Sequence, residues 1–175
     1  MNAVMNSITS RKLEKAVEAA KWLPLGPERL DSRTAPKFVI RAYTEVFAEL
    51  ERLAGLHLRS RNSEVILAII DSIDGRTRST LAIETACHYL GESASEKILA
   101  EVPVFTLDSC RDKDRFVIRF PAEVRETMFE VAGDEGSETG IAWVIDALVY
   151  WINAQRKQHA LYTAISIITA GAGGK

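Results

Sequence analysis

Cysteine is scarce in this chain of 175 residues: Cys87 and Cys110 are the only two, and their separation fits neither a metal knuckle nor a disulfide framework. Reduced, buried thiols in a cytoplasmic protein are the expectation. Histidine is almost as rare, and His57, His88 and His159 have no Cys, Asp or Ser beside them at a recognised catalytic or metal-binding spacing. Neither a metal, nor a cofactor, nor an enzyme activity is expected on that basis. Long apolar runs are missing too: Leu161 to Ala170 is too short to cross a bilayer, and Met1 to Arg11 has no apolar core of the signal-peptide kind. The glycines near Lys175 do not make a phosphate loop, because Thr169 stands at the first glycine position and no Ser or Thr follows the lysine. A formal charge of −2 gives no global field that would draw a polyanion, so any such attraction must come from a local patch.

What the chain does have is a repetition. Lys37-Phe38-Val39-Ile40-Arg41 returns 78 positions later as Arg115-Phe116-Val117-Ile118-Arg119. Residues 37–73 laid on 115–151 without a gap share eight identities: Phe38/Phe116, Val39/Val117, Ile40/Ile118, Arg41/Arg119, Glu45/Glu123, Val46/Val124, Ala54/Ala132 and Gly55/Gly133. Leu50/Met128, Leu53/Val131, Ile66/Val144, Ile70/Leu148 and Ile73/Trp151 keep the apolar rhythm where the letters differ. One small structural unit written twice accounts for this.

Each copy changes period partway. The pentapeptide alternates Phe and Ile with Lys, Val and Arg, which is a strand with one dry and one wet face. Helical spacing follows, through Val46, Phe47, Leu50 and Leu53 in copy one and Val124, Met128 and Val131 in copy two, with Gly55 and Gly133 as the expected stops and Gly136 free for a left-handed turn. Glu45 and Glu123 fall in the first turn of those helices, where the dipole favours an acid. Ser60-Arg61-Asn62-Ser63-Glu64 predicts the start of a second helix, with a hydroxyl or amide cap and a glutamate reaching back. Val65, Ile66, Ile69, Ile70 and Ile73 continue it. The second helix of copy two is expected from Thr139 through Trp143, Val144, Ala147, Leu148 and Trp151.

A lone strand leaves its backbone groups unpaired, and the second copy supplies the partner. Antiparallel pairing would turn Phe38, Ile40, Phe116 and Ile118 onto four helices and leave Lys37, Arg41, Arg115 and Arg119 on the outer face. The rest of the chain reads as additional helices. Residues 7–23 predict an amphipathic helix ended by Pro24, Gly26 and Pro27, and Pro36 opens the first strand. Residues 74–114 are too many for a bare loop; Thr80–Leu90 and Ser93–Ala100 look helical, with Ser93 and Ser95 near a cap, and Val102–Leu107 is a short apolar run. The last helix is expected to pass Gln155 and Arg156-Lys157, with Leu161–Ala170 as a further piece.

The strand, the Glu-Val that follows it, the glycine turn and, above all, the Asn-Ser-Glu opening within Arg59–Glu64 resemble the ribbon-helix-helix proteins of the Arc and MetJ type. The resemblance covers 74 of the 175 residues. It implies a mainly α fold in which tandem units form an intramolecular pseudo-dimer around a two-stranded antiparallel ribbon, similar to the arrangement of TraY-like plasmid-transfer proteins. The implied segments are an N-terminal arm 1–35, a first unit 36–74, a helical connection 75–114, a second unit 115–155 and a C-terminal helix and tail 156–175. It also implies a partner, double-stranded DNA, whose bases Lys37, Val39, Arg41, Arg115, Val117 and Arg119 would read in the major groove. Ser60, Arg61, Asn62, Ser63 and Thr139 would contact phosphate at the starts of the second helices. A transcriptional repressor is the leading expectation. Accessory DNA binding in plasmid transfer, and a protein-interaction module that has lost DNA, are the alternatives. Residues 75–114 and the C-terminal tail are where a protein partner would dock. Copy two departs from the pattern: Glu138, Thr139, Gly140 and Ile141 stand where copy one has Ser60 to Ser63. Residues 115–151 carry three basic against seven acidic side chains, whereas copy one is balanced at five and five.

Overall fold

The structure is a computed structural model, and it describes residues 37–120, 122–136 and 140–172. The expected N-terminal arm, its helix at 7–23 and the lead-in at Pro36 lie outside the described residues, as does Thr139.

The described chain runs β1 (Lys37–Tyr43), α1 (Thr44–Leu56), α2 (Arg61–Ile73), α3 (Thr77–Leu90), α4 (Glu92–Ala100), β2 (Lys113–Arg119), α5 (Ala122–Asp134) and α6 (Ile141–Ala172). β1 and β2 form a two-stranded antiparallel ribbon. Its register is the one a two-fold relation between the repeats demands, since Val39 pairs with its own repeat mate Val117, and Phe38 with Ile118 as Ile40 pairs with Phe116. Both strands are seven residues long, two more than the pentapeptides, which adds Ala42 opposite Asp114 and Tyr43 opposite Lys113.

Ile40 and Ile118 are fully buried, while Phe38 and Phe116 are half-buried against the same core. Beneath them pack Val46, Leu50 and Leu53 of α1, Val65 and Ile69 of α2, Met128 of α5, and Val144, Leu148 and Ile152 of α6. The largest fully buried side chain is Phe120, just past β2; its ring meets Phe38 at 5.8 Å between centroids. Its repeat mate is Ala42, so the core beneath the ribbon is asymmetric.

Several boundaries differ from the sequence expectation, each for a local reason. Gly55 does not stop α1 but lies within it; the left-handed residue is Leu58, at φ 54, which lets Arg59 N–H donate to the Ala54 carbonyl at 2.8 Å. Leu58 is 94% exposed, so no packing offsets the clash of Cβ with backbone. Gly136, by contrast, takes the positive φ expected of it. α3 starts three residues earlier than predicted because Asp71, buried at the end of α2, reaches over to accept from both the N–H (3.1 Å) and the hydroxyl (2.6 Å) of Ser79. The start of α4 is set by Gly91 at φ 82 rather than by Ser93 or Ser95; the buried Ser95 hydroxyl donates back to the Gly91 and Glu92 carbonyls. The short apolar run Val102–Leu107 is irregular, and Asn153 of α6 holds it by accepting from Phe105 N–H at 2.8 Å and donating to Phe105 C=O at 3.0 Å. α6 begins at Ile141 and is one helix of 32 residues, which joins the expected second helix of copy two and the further piece Leu161–Ala170 without interruption. Cys87 and Cys110 are free and half-buried rather than buried. No described helix is long and apolar enough to cross a membrane.

Candidate nucleic-acid interface

Alternation along the two strands puts residues 37, 39, 41 and 43 on the same face as 113, 115, 117 and 119. Lys37, Arg41 and Arg115 are exposed, Val39 and Val117 are 45% and 46% exposed, and Arg119 is half-buried. The pairing sets Lys37 opposite Arg119 and Arg41 opposite Arg115, on either side of the Val39–Val117 pair. Like charges opposed across a ladder are destabilising, because opposite Cβ atoms lie about 4.5–5.5 Å apart. None of these four cations has an ion-pair partner among the described residues. The face is therefore a concentrated positive strip with an apolar centre, carried by a protein of net charge −2.

At the start of α2 the side chains are committed inward. The Ser60 hydroxyl accepts from Ser63 N–H at 3.1 Å and pairs with the Ser63 hydroxyl at 2.9 Å. Asn62 grips the backbone of Arg119, accepting from its N–H at 3.1 Å and donating to its carbonyl at 3.5 Å. Arg61 stacks its guanidinium 4.3 Å from the centroid of Phe116, with Nε 3.5 Å from a Glu51 carboxylate oxygen. Of the groups expected to meet phosphate, the hydroxyls thus cap the helix start and the amide braces it against the ribbon. The N–H groups of Arg61 and Asn62, in the first turn, have no intrahelical partner.

Glu64 corrects the expected capping box. It does not reach back to the cap: it is fully buried, accepting from Trp151 Nε1 at 3.0 Å, with His57 Nδ1 at 2.9 Å and Arg59 Nη1 at 3.6 Å. It therefore ties copy one to copy two through the core. Its repeat mate, Ala142, is exposed.

Copy two offers a different helix start. Gly140 stands at the repeat position of Asn62, is buried at φ 65, and lies so close to Phe129 that an added Cβ would come within 3.3 Å of the ring. It has no side chain with which to hold Arg41 as Asn62 holds Arg119. A cavity of about 690 Å³ lies elsewhere, between α1, the segment after α4, and α6; Leu53, Leu56, Ile98 and Val102 line it, and none of the outward ribbon residues does.

A family model described as Arc-like DNA binding domain matches the chain at residues 32–78 and again at 110–138. Two stretches of the chain are thus similar to an Arc-like DNA-binding domain. The first match spans a whole ribbon-helix-helix unit. The second covers β2 and α5 and stops before α6, at the point where the Ser60–Ser63 pattern gives way to Glu138, Thr139 and Gly140. No curated protein and no solved structure matches the chain.

Proposed function

We propose that this tandem ribbon-helix-helix chain binds double-stranded DNA sequence-specifically as a transcriptional repressor, laying β1 and β2 in the major groove as a monomeric pseudo-dimer. The observation that carries the reading is the pair of opposed cations on each side of Val39 and Val117 on the outer face. An uncompensated strip of this kind costs the free protein stability, and a polyanion would repay that cost. Arg41, Arg119, Lys37 and Arg115 would donate to guanine O6 and N7, and the two valines would touch thymine methyls. The open N–H groups at the start of α2 would take a phosphate, with Ser60, Asn62 and Ser63 holding that helix end in place.

Salt-dependent retention on duplex DNA tests this, because neutralising phosphates makes affinity fall steeply with salt. Arg41→Ala combined with Arg119→Ala is expected to lose about 1–3 kcal/mol of discrimination for each guanine contact removed. Unchanged binding by that variant would refute the ribbon assignment. A wild-type chain that binds no duplex at low salt would make the valine-centred face a protein contact instead. Sequencing the genomic fragments that the protein retains separates the two DNA roles: promoter fragments fit a repressor, and a transfer origin fits an accessory protein.

A further inference from the structure

Among the described residues, the outer face of the ribbon extends beyond the repeated pentapeptides at the Arg41/Arg115 end. We infer that Tyr43 and Lys113 form an additional phosphate-contacting tier there, and that the chain consequently sits on duplex DNA in one fixed orientation. This rests on the reading that the ribbon enters the major groove.

Three observations converge. Tyr43 and Lys113 are register partners with the same parity as the outward cations, and Lys113 Nζ lies 5.2 Å from the centroid of the Tyr43 ring. Lys113 is exposed, and Tyr43 is half-buried with part of its side chain packed against the core, so the ring is an anchored platform that holds the ammonium at the rim of the strip. The backbone beside them is pinned, because the N–H and the hydroxyl of Thr44 both donate to the Asp112 carbonyl at 2.9 Å. Of the two acids that flank Lys113 in sequence, Asp112 and Asp114, the second accepts from the Arg115 N–H at 2.6 Å.

At the other end the sequence supplies no equivalent pair. Moving by the repeat offset, Tyr43 corresponds to Pro121 and Lys113 to Ala35. Neither residue brings a charge or a side-chain donor.

The two ends also differ in the helix start beside them. At the Lys37/Arg119 end, Asn62 fastens the capped first turn of α2 to the strand. The repeat assigns the start of α6 to the Arg41/Arg115 end, where Gly140 is buried and the preceding sequence supplies Glu138. Phosphates flanking the groove would thus be met by helix N–H groups at one end, and by the Lys113 ammonium and the Tyr43 hydroxyl at the other.

The test uses the full chain and a duplex that it retains. Hydroxyl-radical footprints on both strands are combined with the slope of log K against log salt. For the wild type, protection is expected to reach farther on one flank. Lys113→Ala should shorten that flank alone and reduce the slope by about one, and Lys113→Arg should restore both. Tyr43→Phe should weaken protection at the same flank and leave the slope unchanged. If the wild type binds and Lys113→Ala changes neither the slope nor the footprint, or if the wild-type footprint is symmetric about its centre, the inference falls while the ribbon reading stands. If the wild type binds no duplex at all, the ribbon reading itself fails, and the inference with it.

Discussion

Replacing Glu64 with alanine tests how the two copies are held together. The carboxylate is fully buried and is the acceptor for Trp151 Nε1 at 3.0 Å and the partner of His57 Nδ1 at 2.9 Å, with the Arg59 guanidinium at 3.6 Å. Without it, the buried indole N–H, from a tryptophan 8% exposed, has no acceptor within reach. An orphaned buried donor costs about 1–3 kcal/mol. His57 and Arg59 also lose a partner, but their side chains are 22% and 45% exposed and water takes its place, so the orphaned indole sets the magnitude. Glu64→Ala is therefore expected to destabilise the chain by about 1–3 kcal/mol, a sizeable part of the usual 5–15 kcal/mol stability of a domain. Glu64→Gln keeps one acceptor for Trp151 and should cost less, about 1 kcal/mol or under. The measurement is the urea midpoint at constant slope, with Trp151→Phe and the double variant closing a cycle. A Glu64→Ala protein within about 0.5 kcal/mol of wild type, the range expected of ordinary surface changes, would show that the carboxylate is not the tie described.

Leu58→Gly should raise stability by up to about 1 kcal/mol, since glycine takes the left-handed conformation freely and a side chain 94% exposed packs on little; a lower urea midpoint would refute the assignment of strain. Burial pushes the Glu49 carboxyl up, yet the hydrogen bonds and charges of Arg52 and Arg156 outweigh it and hold the group below its ordinary value of 4.5. A depressed carboxylate contributes stability above its unfolded pKa and loses it as pH falls through the folded one. The stability gap between wild type and Glu49→Gln should thus be full at pH 7 and vanish in acid, and a gap that is constant across paired pH melts would contradict the ion pair.

The ribbon was legible because period-two alternation and a gapless repeat are both local signals, and Phe38, Val39, Ile40 and Arg41 carry them with little ambiguity. The register followed from the symmetry of the copies. What could not be read was decided by distant partners. A glutamate four residues after Ser60 looks the same whether it serves the helix cap or the core, and the choice is made by Trp151, 87 positions away. Phe120 is followed by Pro121, which reads as the end of an element and hides that its ring is the largest fully buried side chain. The Tyr43–Lys113 pair carries no such signal, because the repeat places Pro121 and Ala35 at the corresponding positions. Leu58 lacks any residue-type signal at all, because glycine and asparagine are the residues normally looked for at positive φ.

Placing both units in one chain has a physical consequence that these residues share. In a homodimer a substitution appears on both sides of the two-fold axis, so a residue that suits one side must be tolerated on the other. Joined in tandem, the copies are free to differ: Phe120 fills space that Ala42 does not, and Glu64 joins Trp151 across the axis while its repeat mate Ala142 is exposed. Two fully symmetric Glu64-type clusters would bury two carboxylates, each with its own desolvation cost; one cluster fastens the copies at half that cost. The same freedom lets the ends of the ribbon diverge, a capped helix start at Arg119 and a Tyr43–Lys113 pair beyond Arg41. The basic outer strip, by contrast, is kept nearly identical in both strands, down to the opposed cations that the free protein would be more stable without.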